Sequence, residues 1–175
     1  MIHSLFFLST IALLIGLFYL VKKWPDGGIN ATFSHHAAST ENATKYYVAL
    51  FLVTLPLFTT WFIIWLVPWL HLPLAAIVMI CVATIAQVWA ATVPERSPSV
   101  DLHRAITSLS IVGIISVTSM VLYVSRSSIV ALFLACMLAI LGYSVVRRDR
   151  ARYQLLLQAG FYTIFFVALG SFITA

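Results

Sequence analysis

The side chains able to do chemistry fall in two short polar stretches. The first holds Thr32-Phe33-Ser34-His35-His36-Ala37-Ala38 and runs on to Glu41 and Asn42. The second runs from Val93 through Pro94-Glu95-Arg96 to Asp101-Leu102-His103-Arg104. Imidazole and carboxylate are ordinary ligands of a divalent metal, and a catalytic site needs three of them plus an open position. His35, His36, Glu95, Asp101 and His103 are the residues from which such a set would be drawn. Ser34, His36, Asp101 and His103 are the candidates for nucleophilic or acid–base work, with Arg96 or Arg104 suited to a lipid phosphate. No HExxH or HxxxH spacing joins these residues. A structural reading of the same side chains makes Asp101 the N-cap of a helix, sets His35 and His36 in an interfacial turn, and pairs Glu95 with Arg96 or Arg104. Histidine is also a haem ligand, and His35 or His36 with His103 is the pair that would hold a single haem. The sequence leaves the cofactor unknown.

The elements that position these residues are membrane helices. The chain is 62% hydrophobic and 9% charged, with mean hydropathy +1.05, far more apolar than a soluble domain of 175 residues. A bilayer core about 30 Å thick takes roughly 20 apolar residues per helix. Six such blocks are present, at 3–21, 44–67, 72–92, 102–123, 127–146 and 153–174. The expectation is an all-α polytopic integral membrane protein, one bundle of six transmembrane helices spanning 1–175. No Lys or Arg precedes the first block, while Lys22 and Lys23 follow it, so it reads as a retained helix and not as a signal peptide. Cys81 and Cys136 lie mid-helix without CxxC spacing and read as small buried hydrophobes.

Nine of the ten Lys and Arg residues lie around the first, third and fifth gaps: Lys22, Lys23, Lys45, Arg96, Arg104, Arg147, Arg148, Arg150 and Arg152. Arg126 alone lies in the even ones. The positive-inside rule therefore puts loops 22–43, 93–101 and 147–152 in the cytoplasm and both termini outside. The net charge of +5 is read as topology and anionic-lipid contact, not as nucleic-acid binding. With the loops on that side, the sequons at Asn30 and Asn42 are coincidental.

Helical spacing gives faces. Ala76, Ala83, Gln87, Ala90 and Pro94 share one side of the third block. Asp101, Ala105, Ser108, Val112, Ser116 and Ser119 share one side of the fourth, with Gly113 on its flank. Small residues let helices approach closely in lipid, so both sides are expected to point inward. Gln154 and Gln158 open the sixth block, and helices three, four and six are expected to meet around them. Gln87, Arg96, Arg104 and Gln158 are the expected ligand-binding residues of a polar pocket at the cytoplasmic face. Trp61, Trp65 and Trp69 form a stripe read as belt and packing, and Pro56 is expected to kink the second helix.

Thr32 to Ala38 after the first helix, Ala91-Thr92-Val93-Pro94, and Leu102-His103-Arg104 at the third-to-fourth junction together resemble the bacterial DUF998 group. Those six-helix proteins are related to the Frag1/DRAM/Sfk1 family. In that pattern an Ile-Ser-acid-x-Gly motif follows helix one, and a Pro with a downstream His begins helix four. Here His35 and His36 take the place of the acid, and the glycine is missing. The resemblance marks Ser34, His36, Pro94 and His103. It implies a membrane protein of lipid handling or membrane homeostasis, although the eukaryotic relatives put the first loop on the lumenal side.

Three function classes follow. The first is a lipid-binding or membrane-homeostasis accessory with membrane lipids as partners. The second is a metal-dependent membrane lipid hydrolase or transferase. The third is a small-solute or ion transporter with Pro56, Gln87 and Asp101 along its path, a reading opposed by the apolar outer half of the helices. A homo-oligomer and a subunit of a larger assembly both remain open.

Overall fold

The computed structural model describes residues 2–93, 95–96, 98–146 and 153–173. Pro94, the four arginines of 147–152 and Thr174 lie outside the described residues, and with them the expectations that rest on those positions.

Local sequence sets each helix boundary. Helix α1 (Ile2–Lys23) ends on Lys22 and Lys23, cations at the negative end of the helix dipole. Gly27 and Gly28 then take positive φ, 75° and 62°, a conformation that costs glycine little, and the chain turns back through a 3-10 turn at Gly28–Asn30. Thr32 caps the short helix α2 (Phe33–Ala37), its Oγ1 accepting from the His35 N–H at 3.0 Å. Thr40 caps α3 (Glu41–Leu70) in the same way through the Ala43 N–H, at 3.1 Å. Helix α3 continues through Pro56 and widens into a π-helical turn at Phe62–Leu66. Its end is His71 in the left-handed region, and Pro73 leads into α4 (Leu74–Thr92). Helix α5 (Val100–Ser125) closes on a left-handed Arg126, and α6 (Ser128–Val146) and α7 (Gln154–Gly170) complete the order.

The protein is an all-α membrane bundle. Helices α1, α3, α4, α5 and α6 are long and apolar enough to cross a bilayer. Helix α7 is apolar but has 17 residues, about 26 Å at 1.5 Å per residue. It nonetheless runs from end to end of the bundle. At its start the Tyr153 N–H donates to Asn30 Oδ1 at 3.0 Å; at its finish Gly170 packs under the Phe6 ring and Phe172 lies edge-on to Trp69. The first and third gaps and the start of α7 therefore share one end of the molecule, as the alternation of charge predicts.

An aromatic core of Phe6, Phe58, Trp61, Phe165 and Phe166 ties α1, α3 and α7 together. Trp61 is wholly buried and belongs to this core, while Trp65 and Trp69 stack above it at centroid spacings of 5.4 and 5.2 Å. Helices α4 and α5 form the closest seam. A Cβ on Gly113 would stand 2.8 Å from that of Ala83 and 3.0 Å from the Met79 carbonyl, and Ser110 Oγ donates to the Ala83 carbonyl at 3.1 Å.

The inward face of α4 is the expected one, with Ala76, Ala83, Gln87 and Ala90 all buried. That of α5 is not. His103, Ile106, Ser110, Gly113, Ile114, Val117, Thr118 and Val121 are buried, whereas Asp101, Ala105, Ser108, Val112 and Ser119 are exposed. Ser108 and Ser119 donate to the carbonyls of Arg104 and Ile115, each at 2.8 Å, so their hydroxyls are satisfied within the helix and need no neighbour. Helix α6 is the outermost, burying only Val130 and Met137.

Candidate functional site

The loop between α1 and α3 is built around His36, which is fully buried. Its Nδ1 accepts the Asp26 N–H at 2.9 Å, which puts the ring proton on Nε2, and Nε2–H donates to the Gly28 carbonyl at 3.1 Å. Both nitrogens are thereby committed to the backbone, and the ring has no lone pair left for a metal, a haem or a substrate. His35 points elsewhere: its Nε2 lies 3.7 Å from Asp26 Oδ2, at the surface. Asp26 also holds Arg96 at 2.9 Å, a bridge from the first gap to the third.

Glu95 sits where these two gaps meet. Ser34 Oγ donates to its Oε2 at 2.5 Å, and Thr32 Oγ1 donates to the same oxygen. Both hydroxyls thus converge on one oxygen of the Glu95 side chain. It makes no ion pair with any described residue. The expected pairing with Arg96 or Arg104 is therefore replaced: Arg96 is on Asp26, and Arg104 is on Asp101 at 3.9 Å, an exposed contact of little strength. Asp101 itself stands in the first turn of α5 with its side chain 90% exposed, and the N-cap position belongs to Ser99.

His103 is buried beneath Glu95's loop and closes the end of α4. Its Nδ1–H is shared by the carbonyls of Ala90 and Val93 at 3.0 and 2.7 Å, at the helix end where the Ala90 carbonyl also accepts the Val93 N–H at 3.2 Å. This leaves Nε2 as the ring's lone-pair nitrogen.

A cleft between α5, α6 and α7 joins these groups. Its outer chamber, about 400 Å³, is lined by the polar residues Thr32, Ser34, Glu95, His103, Arg104 and Gln158 and by the apolar Ile111, Leu141 and Val145. Exposed Arg104, Ser108 and Val145 form a rim between α5 and α6. Its inner chamber, about 130 Å³, shares Thr107, Ile111, Leu141, Ser144 and Gln158 with the outer one, and ends among Ile114, Ile140, Phe161 and Tyr162 with Gln87. Gln158 Oε1 accepts the Phe33 N–H at 2.9 Å, so its NH2 is the end left for the cleft. Thr107 Oγ1, at the junction of the two chambers, is buried and has no hydrogen-bond partner among the described residues.

Of the residues that the sequence singles out, Ser34, Glu95, His103, Arg104 and Gln158 line one chamber and Gln87 lines the other, with Gln154 beside it. His35, His36, Arg96 and Asp101 stand apart from both. The metal set of His35, His36, Glu95, Asp101 and His103 is not assembled, and among the described residues no group of three His, Cys, Asp or Glu side chains is placed to hold an ion. Sequence reasoning missed Asp26, Thr32 and Thr107. The first two partner residues far along the chain, and the third reads as one more apolar-helix threonine.

Compared with protein-family models, curated proteins and solved structures, the chain finds no match. Its function is thus argued from the cleft.

Proposed function

We propose that the protein binds a membrane lipid in the cleft between α5, α6 and α7 and acts as a lipid-binding or membrane-homeostasis accessory. One observation carries this reading: a chamber with an acid, a guanidinium and hydroxyls adjoins, through five shared lining residues, a second chamber that ends on Ile114, Ile140 and Phe161, and the rim of the first lies between two membrane helices. That is the polarity order of a lipid, headgroup first and chain second. Ile114, Ile140 and Phe161 match an acyl chain as the bilayer does, so the chain can enter without penalty and the headgroup contacts set the selectivity. The loose fit of α6, which leaves most of its surface to lipid, gives a sideways entry. The resemblance to the DUF998 group is part of this proposal, with His36 holding the loop that carries Thr32 and Ser34, and His103 lining the outer chamber.

The proposed orientation follows the charge count, with the mouth at the cytoplasmic leaflet of the cell membrane and both termini outside. Labelling of an Asp101→Cys variant by an impermeant reagent tests it; labelling from outside intact cells would reverse the orientation. Photo-crosslinking with a phospholipid carrying a diazirine in its acyl chain tests the lipid reading. Adducts are expected on peptides containing Ile111, Leu141 or Phe161. Adducts confined to the outer surface of α1 and α3 would contradict it.

A further inference from the structure

The charges at the mouth narrow the lipid class. Glu95 is a half-buried carboxylate at the edge of a membrane, a place where an ion without a counterion is costly, yet no described residue supplies its cation. Among the described residues Arg104, in the same chamber, has only the exposed Asp101 carboxylate, 3.9 Å away. One chamber thus presents a carboxylate and a guanidinium, each with capacity for a partner of opposite sign.

Resting on the lipid reading above, we infer that the occupant is a zwitterionic phospholipid with a primary ammonium, of the ethanolamine class, its ammonium on Glu95 and its phosphate on Arg104. A primary ammonium brings three N–H donors and needs acceptors, which Glu95 with the Ser34 and Thr32 oxygens provides. A quaternary choline has no N–H and is held by aromatic faces, and among the described residues the outer chamber is lined by no Phe, Tyr or Trp. An anionic glycerol headgroup would satisfy Arg104 but leave Glu95 repelled. Thr107 supplies independent support: its buried hydroxyl, without a partner among the described residues, lines both chambers, below the headgroup, where a phospholipid carries its ester oxygens.

The test uses the full chain reconstituted in vesicles of equal parts ethanolamine, choline and glycerol phospholipid with identical acyl chains, then purified in mild detergent, the retained lipid being identified by mass. The wild type should retain the ethanolamine lipid over each of the others by about tenfold, and Glu95→Gln should bring that ratio to within about twofold while lipid is still retained. Because Glu95→Gln also loosens the tie to Thr32 and Ser34, a second series needs only the wild type. Retention should fall stepwise through the mono-, di- and trimethylated headgroups as N–H donors are removed. Equal retention along that series, or a full preference kept by Glu95→Gln, overturns the ammonium assignment and leaves lipid binding standing. A wild type that retains no phospholipid at all overturns both.

Discussion

The two sides of α5 are packed in opposite ways. Towards α4, Gly113 lies against Ala83 and the Met79 carbonyl, and Ser110 is bonded to the Ala83 carbonyl, so the helices stand too close for a side chain at position 113. Towards α6, the same helix leaves chambers of about 400 and 130 Å³, and α6 contributes only Val130 and Met137 to the core. Both sides face the same solvent, a bilayer in which apolar surface gains nothing by leaving lipid for protein. A gap between helices there is therefore not closed by a hydrophobic force, and close packing marks the places where small residues permit it. The seam is the scaffold, and the gap is what the scaffold is free to use.

Substitutions can separate the two sides. The largest effect is expected at the seam, where Gly113→Leu drives a side chain into the Met79 carbonyl and Ala83; overpacking of this kind costs about 3 kcal/mol or prevents folding. Thermal unfolding in detergent would read it, and an unchanged midpoint would show that α4 and α5 are not held at this distance. Next comes His36→Ala, which leaves the Asp26 N–H and the Gly28 carbonyl without their ring partner, a loss of about 2 kcal/mol in the same measurement. If His36 were a ligand to metal or substrate instead, the variant would lose binding while keeping its midpoint. The smallest change in stability belongs to Thr107→Val, isosteric and at a hydroxyl with no partner among the described residues, within about 0.5 kcal/mol of wild type. Lipid retention, not the midpoint, should fall for it; a lowered midpoint with unchanged retention would make Thr107 a structural residue.

The sequence made one side of this comparison more legible than the other. Ala76, Ala83, Gln87 and Ala90 announce the buried face of α4, because alanine at helical spacing fits a close neighbour. On α5 the same logic selects Ser108, Val112 and Ser119, which are exposed, and overlooks Ile106 and Val117, which are buried. Two physical reasons account for this. A serine can bond back to its own helix, as Ser108 and Ser119 do, and an isoleucine is as content against lipid as against protein. The helices and their shared polar end were readable from hydropathy and charge. The site was readable in part: Ser34, Glu95, His103, Arg104 and Gln158 could be named, but not the fact that Thr32 reaches Glu95 across 63 residues while Arg96 turns away to Asp26. Short-range patterns do not encode such long-range pairings.

The most direct measurement of the central claim is native mass spectrometry of the purified protein beside Leu141→Trp. Leu141 lines both chambers and is only partly buried, so the larger ring fills the cleft where the chambers adjoin without entering the α4–α5 seam. The account predicts a wild type carrying phospholipid by mass, and a Leu141→Trp variant with the wild-type unfolding midpoint to within about 1 kcal/mol but at least about tenfold less bound lipid. Equal lipid on both proteins would place it outside the cleft and contradict the account.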